Sequence, residues 1–352
     1  MDPVSQRDLD SIAPYTDGQY WEAMCRFVKS PAFPVMVQKY YPGLPADIGK
    51  ERALQLKTVE QFQKVVIAAV IQILQERTTR GVTLEGMEAL SKTRRYLYVS
   101  NHRDIILDPA VFARAIHAAG YTTPQICLGD NLLTDPMIID LIKMNKGVTV
   151  KRNLAPRDLL HWSVVLSEWI RRQITEDRDS IWIAQREGRA KDGRDLTQPG
   201  VLKMFALTGE GTFLERLKRL HLVPVAISYE YDPSDVQKAV ELHAIRKTGS
   251  YQKKPGEDQR AIGRGVEGFK GGIHLRVGAE VSADLELAEK LRNKNEQAAW
   301  IASFLDDRIR AQYRNWPSNY VAADLLSGGS QYSAQYQPEQ KEEFVARLEK
   351  RL

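Results

Sequence analysis

Asn101-His102-Arg103-Asp104 and Asp108-Pro109 hold a histidine with carboxylates two and six residues further along. A histidine beside a carboxylate is the minimum equipment of a general base: the carboxylate fixes the ring and stabilises the imidazolium. His102 is the candidate base, and Asp108 and Asp104 are both candidate partners. Asp108 before Pro109 also has the form of a helix start, with Asp as cap and Pro at the first helical position. One carboxylate can serve both purposes, one oxygen to each.

Basic residues gather at two further places, and a third run is apolar. Val148-Thr149-Val150 leads into Lys151 and Arg152. Ile181-Trp182-Ile183-Ala184 leads into Gln185-Arg186-Glu187-Gly188-Arg189-Ala190-Lys191. Leu222-Val223-Pro224-Val225-Ala226 is an apolar run with a proline in it. If these runs are neighbouring parallel strands, their ends share one edge, where ligands bind in open α/β sheets. His102 would then stand among Arg103, Lys151, Arg152 and Arg189, a setting for an anionic substrate. Gly188 would admit a phosphate close to the backbone. Taken singly, each of these cations reads as a solvated rim residue.

The elements that must position these residues alternate from about residue 90. Strands are expected at Tyr96–Ser100, Gln125–Leu128, Val148–Lys151, Ser180–Ala184 and Leu222–Tyr229, and a further pair at Val240–Ile245 with Ile273–Val277. Helices are expected at Asp108–Ala119, Pro136–Met144, Pro156–Ile174, Pro199–Leu207, Phe213–Leu220, 295–314 and 337–351. The pattern predicts an α/β fold, a mainly parallel sheet flanked by helices, with an N-terminal helical region. In that region Tyr20–Val28 and Glu51–Glu76 carry helical spacing. The expected organisation is 1–85 helical, 86–295 α/β, and 296–352 a C-terminal helical segment.

Across residues 90–230 the chain resembles the glycerolipid acyltransferase superfamily, which includes glycerol-3-phosphate and lysophosphatidic acid acyltransferases. The resemblance rests on four ordered blocks: Asn101-His102 with Asp108; Gly147 to Lys151-Arg152; Arg186-Glu187-Gly188-Arg189; and Leu222-Val223-Pro224-Val225-Ala226. One departure stands out. The family usually has four residues between His and Asp; here there are five before Asp108, and one before Asp104. Asp108 keeps the family's position ahead of the helix.

The resemblance implies transfer of an acyl group from a thioester, acyl-CoA or acyl carrier protein, to a hydroxyl of glycerol phosphate or a lysophospholipid. It implies His102 as base and Asp108 as its orienting partner. It assigns Lys151, Arg152, Glu187 and Gly188 to the acceptor's phosphate and polar head, with Asn101, Arg103 and Arg189 counted among the substrate-binding residues. The acyl carrier is a co-substrate, and no other cofactor is expected. Other expectations are a lyso-aminolipid acceptor, a hydrolase, or a lipid-binding relative without activity. No Gly-x-Ser-x-Gly elbow is present to support a serine hydrolase.

Composition bounds the rest. With 352 residues, 43% hydrophobic and 27% charged, the chain has the makeup of a globular protein. Net charge is +5, a mild excess that permits an anionic partner; a membrane surface is expected and nucleic acid is not. The six histidines, His102, His117, His161, His221, His243 and His274, lack metal-ligand spacing, so no metal is expected. Cys25 and Cys127 offer no disulfide framework and fit a reducing compartment. The polar start, Met1 to Asp8, reads as lacking a signal peptide, and the longest apolar run, Val65–Leu74, is too short to span a membrane. The expected location is cytoplasmic, peripheral to the inner face of the membrane. Gly263-Arg264-Gly265-Val266-Glu267-Gly268 matches a dinucleotide pattern in the wrong context, leading into a strand. Residues 246–270, with Arg246, Lys247, Lys253, Lys254, Arg260, Arg264 and Lys270, are expected to form a basic loop.

Overall fold

Two of the apolar runs, Leu97–Ser100 (β2) and Leu222–Tyr229 (β6), are buried along their whole length, as strands covered on both faces must be. They lie side by side at the centre of a seven-stranded sheet in a computed structural model that describes residues 4–133, 135–252, 254 and 256–351. The other strands are Gly81–Glu85 (β1), Gln125–Gly129 (β3), Gly147–Val150 (β4), Ile181–Ala184 (β5) and Gly272–Val277 (β7). The order is β1-β7-β6-β2-β5-β3-β4. β6, β2, β5, β3 and β4 are mutually parallel, whereas β7 is antiparallel to β6 and parallel to β1. The sheet is therefore mainly parallel, and five strands end on one edge.

Helices cover both faces. On one, Leu166, Ile170, Leu202, Phe205, Ile301 and Leu305, from the helices Pro156–Thr175, Pro199–Phe205 and Lys294–Gln312, pack on Leu97, Val99 and Ile181. On the other, Leu107, Val111, Phe112 and Ile116 of the helix Leu107–Ala118 pack on Tyr98, Trp182, Val225, Ile227 and Tyr229. Two of these helices begin at a proline, as do Pro136–Met144 and Pro338–Glu349 elsewhere, because a fixed φ and a missing N–H are harmless in the first turn.

The N-terminal helices have their own core of Tyr20, Met24, Phe27, Phe33 and Phe62, closed by Met144. Asp140 ties them to the helix Pro136–Met144: Arg26 donates to both its oxygens at 3.0 and 2.8 Å, and the Tyr15 hydroxyl donates at 2.8 Å. The expected single helix over Glu51–Glu76 is broken. Ala46–Gln55 ends, Thr58 caps a new start, and the chain stays helical over 59–78 with a π-helical turn at Gln63–Ile67.

Three expectations are corrected here. Val240–Ile245 is not a strand: it lies inside the helix Asp235–Thr248. The basic loop 246–270 is largely helical, since Glu257–Glu267 is a helix that takes in Gly263 to Glu267; Lys253 lies outside the described residues. Gly81–Glu85, read with the N-terminal helices, is an edge strand of the sheet. No helix among the described residues is long and apolar enough to cross a membrane.

Candidate active site

β2 delivers His102 just past its C-terminal end, and the chain then turns into the helix Leu107–Ala118. His102 Nδ1 lies 3.0 Å from Asp108 Oδ2. A carboxylate can only accept, so Nδ1–H donates and the other ring nitrogen serves the space beyond. Asp108 is fully buried. Its Oδ2 also accepts the Arg103 and Asp104 N–H groups at 2.6 and 2.9 Å, and its Oδ1 accepts the Tyr229 hydroxyl at 2.8 Å. Four donors thus hold one buried carboxylate. Asp108 is in the first helical turn rather than capping it, and Pro109 follows it inside that turn.

Asp104 is engaged elsewhere. Its Oδ1 accepts the N–H groups of Ile106 and Leu107 at 2.9 and 2.8 Å, the unpaired donors at the helix start. Burial, reinforced by neighbouring Asp108, raises its proton affinity above that of an ordinary aspartate. The additional residue in the His–Asp spacing is thereby absorbed in a turn that Asp104 closes.

Asn101 and Arg103 are committed to the scaffold too. The Asn101 amide donates to Ile227 O at 2.9 Å and accepts from Ile227 N at 2.8 Å, sewing the end of β2 to β6. Arg103 bonds Asp232 and Asp195, with its closest approach 2.9 Å to Asp232. Buried Lys238 joins them, donating to Asp232 at 2.7 Å and to the Arg103 carbonyl at 2.8 Å. Burial lowers the proton affinity of the Lys238 ammonium against the pull of Asp232.

His102 opens on a cleft of about 860 Å³ at the edge where the parallel strands end. Lys151, Arg152, Arg186, Glu187, Gly188 and Arg189 line its polar side. Lys151 stands 5.6 Å from the centre of the Trp162 ring. Arg152 lies against Gly129, where a Cβ would come within 2.6 Å of its Nε, and 3.8 Å from Glu187. Arg189 donates to Ser234 at 2.9 Å. Gly188 has φ +70, a conformation that glycine alone adopts without strain, and the Ala190 N–H donates to the His102 carbonyl at 3.2 Å, tying this loop to the base. The apolar wall of Ile105, Pro109, Ile126, Leu128 and Leu132 continues into a side cavity of about 120 Å³. The helices Asp235–Thr248 and Glu257–Glu267 form a roof, reaching the cleft with Gln237, Lys238, Glu241, Asp258 and Ala261.

A family model for acyltransferases matches residues 81–228. Residues 81–228 form an acyltransferase domain. That span runs from β1 almost to the end of β6 and contains all four sequence blocks. A comparison with solved structures aligns 85% of this chain with 96% of the 1-acyl-sn-glycerophosphate (LPA) acyltransferase PlsC from Thermotoga maritima, at 11% identity and a TM-score of 0.39. No curated protein matches the sequence. Outside the matched span lie Tyr229, the last residue of β6, and the roof, in the connection to β7. Nothing at sequence level marks Tyr229 except its place in the alternation Val223, Val225, Ile227, Tyr229, all on the face that packs on the helix bearing Asp108.

Among the described residues no group of three or more His, Cys, Asp or Glu side chains could hold a metal ion. Cys127 lines the cleft, but burial pushes its thiol up to about 12 and makes it a poor nucleophile.

Proposed function

We propose that the domain moves a fatty acyl group from a thioester, acyl-CoA or acyl carrier protein, to a hydroxyl of glycerol phosphate or a lysophospholipid, with His102 as general base. The observation that carries this reading is the buried Asp108 carboxylate on Nδ1 of a histidine that opens on the cleft. The free ring nitrogen takes the acceptor's hydroxyl proton as the oxygen attacks the thioester carbonyl carbon. The tetrahedral oxyanion collapses, the C–S bond breaks, and the imidazolium returns the proton to the leaving thiolate. Asp108 stabilises the imidazolium in between.

The two sides of the cleft suit the two ends of such substrates. Lys151, Arg152, Arg186 and Arg189 offer positive charge for an acceptor's phosphate, with Glu187 beside Arg152 available to a hydroxyl. The apolar wall from Ile105 to Leu132 suits an acyl chain. The same reading makes the chain a cytoplasmic protein that docks peripherally on anionic lipid. Exposed Val35 and Val65 next to Lys39 and Lys64 on the N-terminal helices favour that. Flotation with anionic vesicles at low salt tests it, and an unbound protein counts against docking.

The activity test incubates pure protein with labelled acyl-CoA or acyl carrier protein and a panel of glycerol phosphate, lysophosphatidic acid and a lyso-aminolipid. Transfer to a phosphate-bearing acceptor, falling about 10²–10⁴-fold in His102→Ala, is expected. Full activity in His102→Ala overturns the mechanism, and transfer to the lyso-aminolipid alone overturns the acceptor class.

A further inference from the structure

The Tyr229 hydroxyl is the donor on the Asp108 oxygen that faces away from His102. We infer that Tyr229 is a positioning residue for the base, setting both the rotamer of Asp108 and the charge that Asp108 presents to the imidazole. The inference rests on His102 acting as proposed above.

The geometry is specific. Three donors converge on Oδ2: the His102 ring and the Arg103 and Asp104 N–H groups. Oδ1 is given the phenol alone among the described contacts. Tyr229 and Asp108 are both buried, so water does not replace the phenol, and an unmatched oxygen of a buried carboxylate is costly. The phenol cannot change roles: burial lifts its proton affinity well above that of an ordinary tyrosine, and Asp108 and Asp104 lift it further. It therefore only donates. The charged and titratable groups around the pair are Asp104 on the same turn with Lys270 near it, Asp232 with Arg103 and Lys238, Asp195 against Arg103, Arg189 from the loop after β5, and the buried Tyr313 phenol. β6 and the helix Leu107–Ala118 both contribute to the same apolar cluster, so the Tyr229–Asp108 contact is framed by Leu107, Phe112 and Ile227.

A hydrogen bond into the carboxylate draws charge away from the oxygen that faces the ring. Without it, Asp108 holds the imidazolium more tightly, and the base stays protonated to higher pH. The experiment compares wild type, Tyr229→Phe, and protein with 3-fluorotyrosine placed at 229, whose phenol is a stronger donor. Two readouts are taken: the acidic limb of kcat/KM against pH, and the His102 ring titration followed by proton NMR. Tyr229→Phe is expected to move both upward by about half a pH unit or more and lower kcat roughly 10-fold, with KM nearly unchanged. The fluorinated protein is expected to move both downward. If Tyr229→Phe does not fold, the fluorinated protein decides alone. Limbs and titrations that stay at the wild-type pH in every soluble variant overturn the inference, even where Tm falls. The ring titration needs no turnover, so a shift there with an active His102→Ala would leave the Tyr229 contact standing and fault the general-base reading.

Discussion

Two aspartates near His102 are equal in type and unequal in surroundings; family position favours Asp108, and the fold shows how their contacts differ. Asp108 meets the ring, whereas Asp104 turns back on the helix start. Spacing along a chain does not report which way a turn aims its side chains, so the preference for Asp108 came from its place ahead of the helix in the family resemblance and not from the spacing. The blocks did bring His102, Lys151, Arg152, Glu187, Gly188 and Arg189 to one cleft, because parallel strands end together. They could not show that Asn101 and Arg103 are bound to Ile227 and to Asp232 with Asp195. Substitutions separate the two aspartates. Asp108→Asn is expected to lower kcat by about 10²-fold or more, since the amide no longer balances the imidazolium. Asp104→Ala is expected to cost about 1 kcal/mol of stability, read by urea denaturation, while Asp104→Asn, which keeps an acceptor oxygen, costs less.

Elements whose apolar pattern was unbroken matched their expected spans closely; β6 and the helix Pro136–Met144 did so to the residue. The misses share a cause. β1 is short, half exposed and paired along one edge, so its strand state comes from β7 rather than from its own pattern. Val240, Leu242 and Ala244 alternate with Glu241 and His243 like a strand, yet Val240 and Ile245 are surface positions on a helix. Gly263 and Gly265 suggested a loop and lie in a helix instead, with different surroundings. A Cβ at Gly265 would come within 2.6 Å of Asp104 Oδ2, whereas a Cβ at Gly263 meets nothing within 4 Å. Gly265→Ala is therefore expected to destabilise by about 1–3 kcal/mol, pressing on a carboxylate fixed by two N–H donors. Gly263→Ala is expected to stabilise by about 0.5–1 kcal/mol through helix propensity. Thermal unfolding of the two variants side by side reads the opposite signs.

At the scale of the whole molecule, buried charge shapes how stability follows pH. Arg171 and Arg172 hold the Glu168 carboxylate down to about 2, below its ordinary 4.5. Its contribution is complete above 4.5 and lost as pH falls towards 2. Lys143 and Lys270 behave oppositely. Burial lowers both ammonium groups to about 8 from 10.5, Lys151 adding to the effect at Lys143 and Asp104 opposing it at Lys270. Between 8 and 10.5 the unfolded chain holds more protons, so these two groups make stability rise with pH there. From pH 8 towards 10 the urea midpoint of a Lys143→Met, Lys270→Met variant should rise less, or fall more, than that of the wild type. The reversed strand β7 has a consequence of a different kind. Tyr231 N donates to Lys270 O at 3.0 Å, so the β6–β7 ladder is already closed at that point. An antiparallel pair needs only a short hairpin there, yet the chain makes an excursion over 232–269 to build the roof. That excursion can vary in length without altering any strand pairing, but Asp232, Lys238 and Gly265 pin it to Arg103 and Asp104 on the turn that carries the base. Selection for a new acceptor can rewrite the roof between these anchors and leave the chemistry in place.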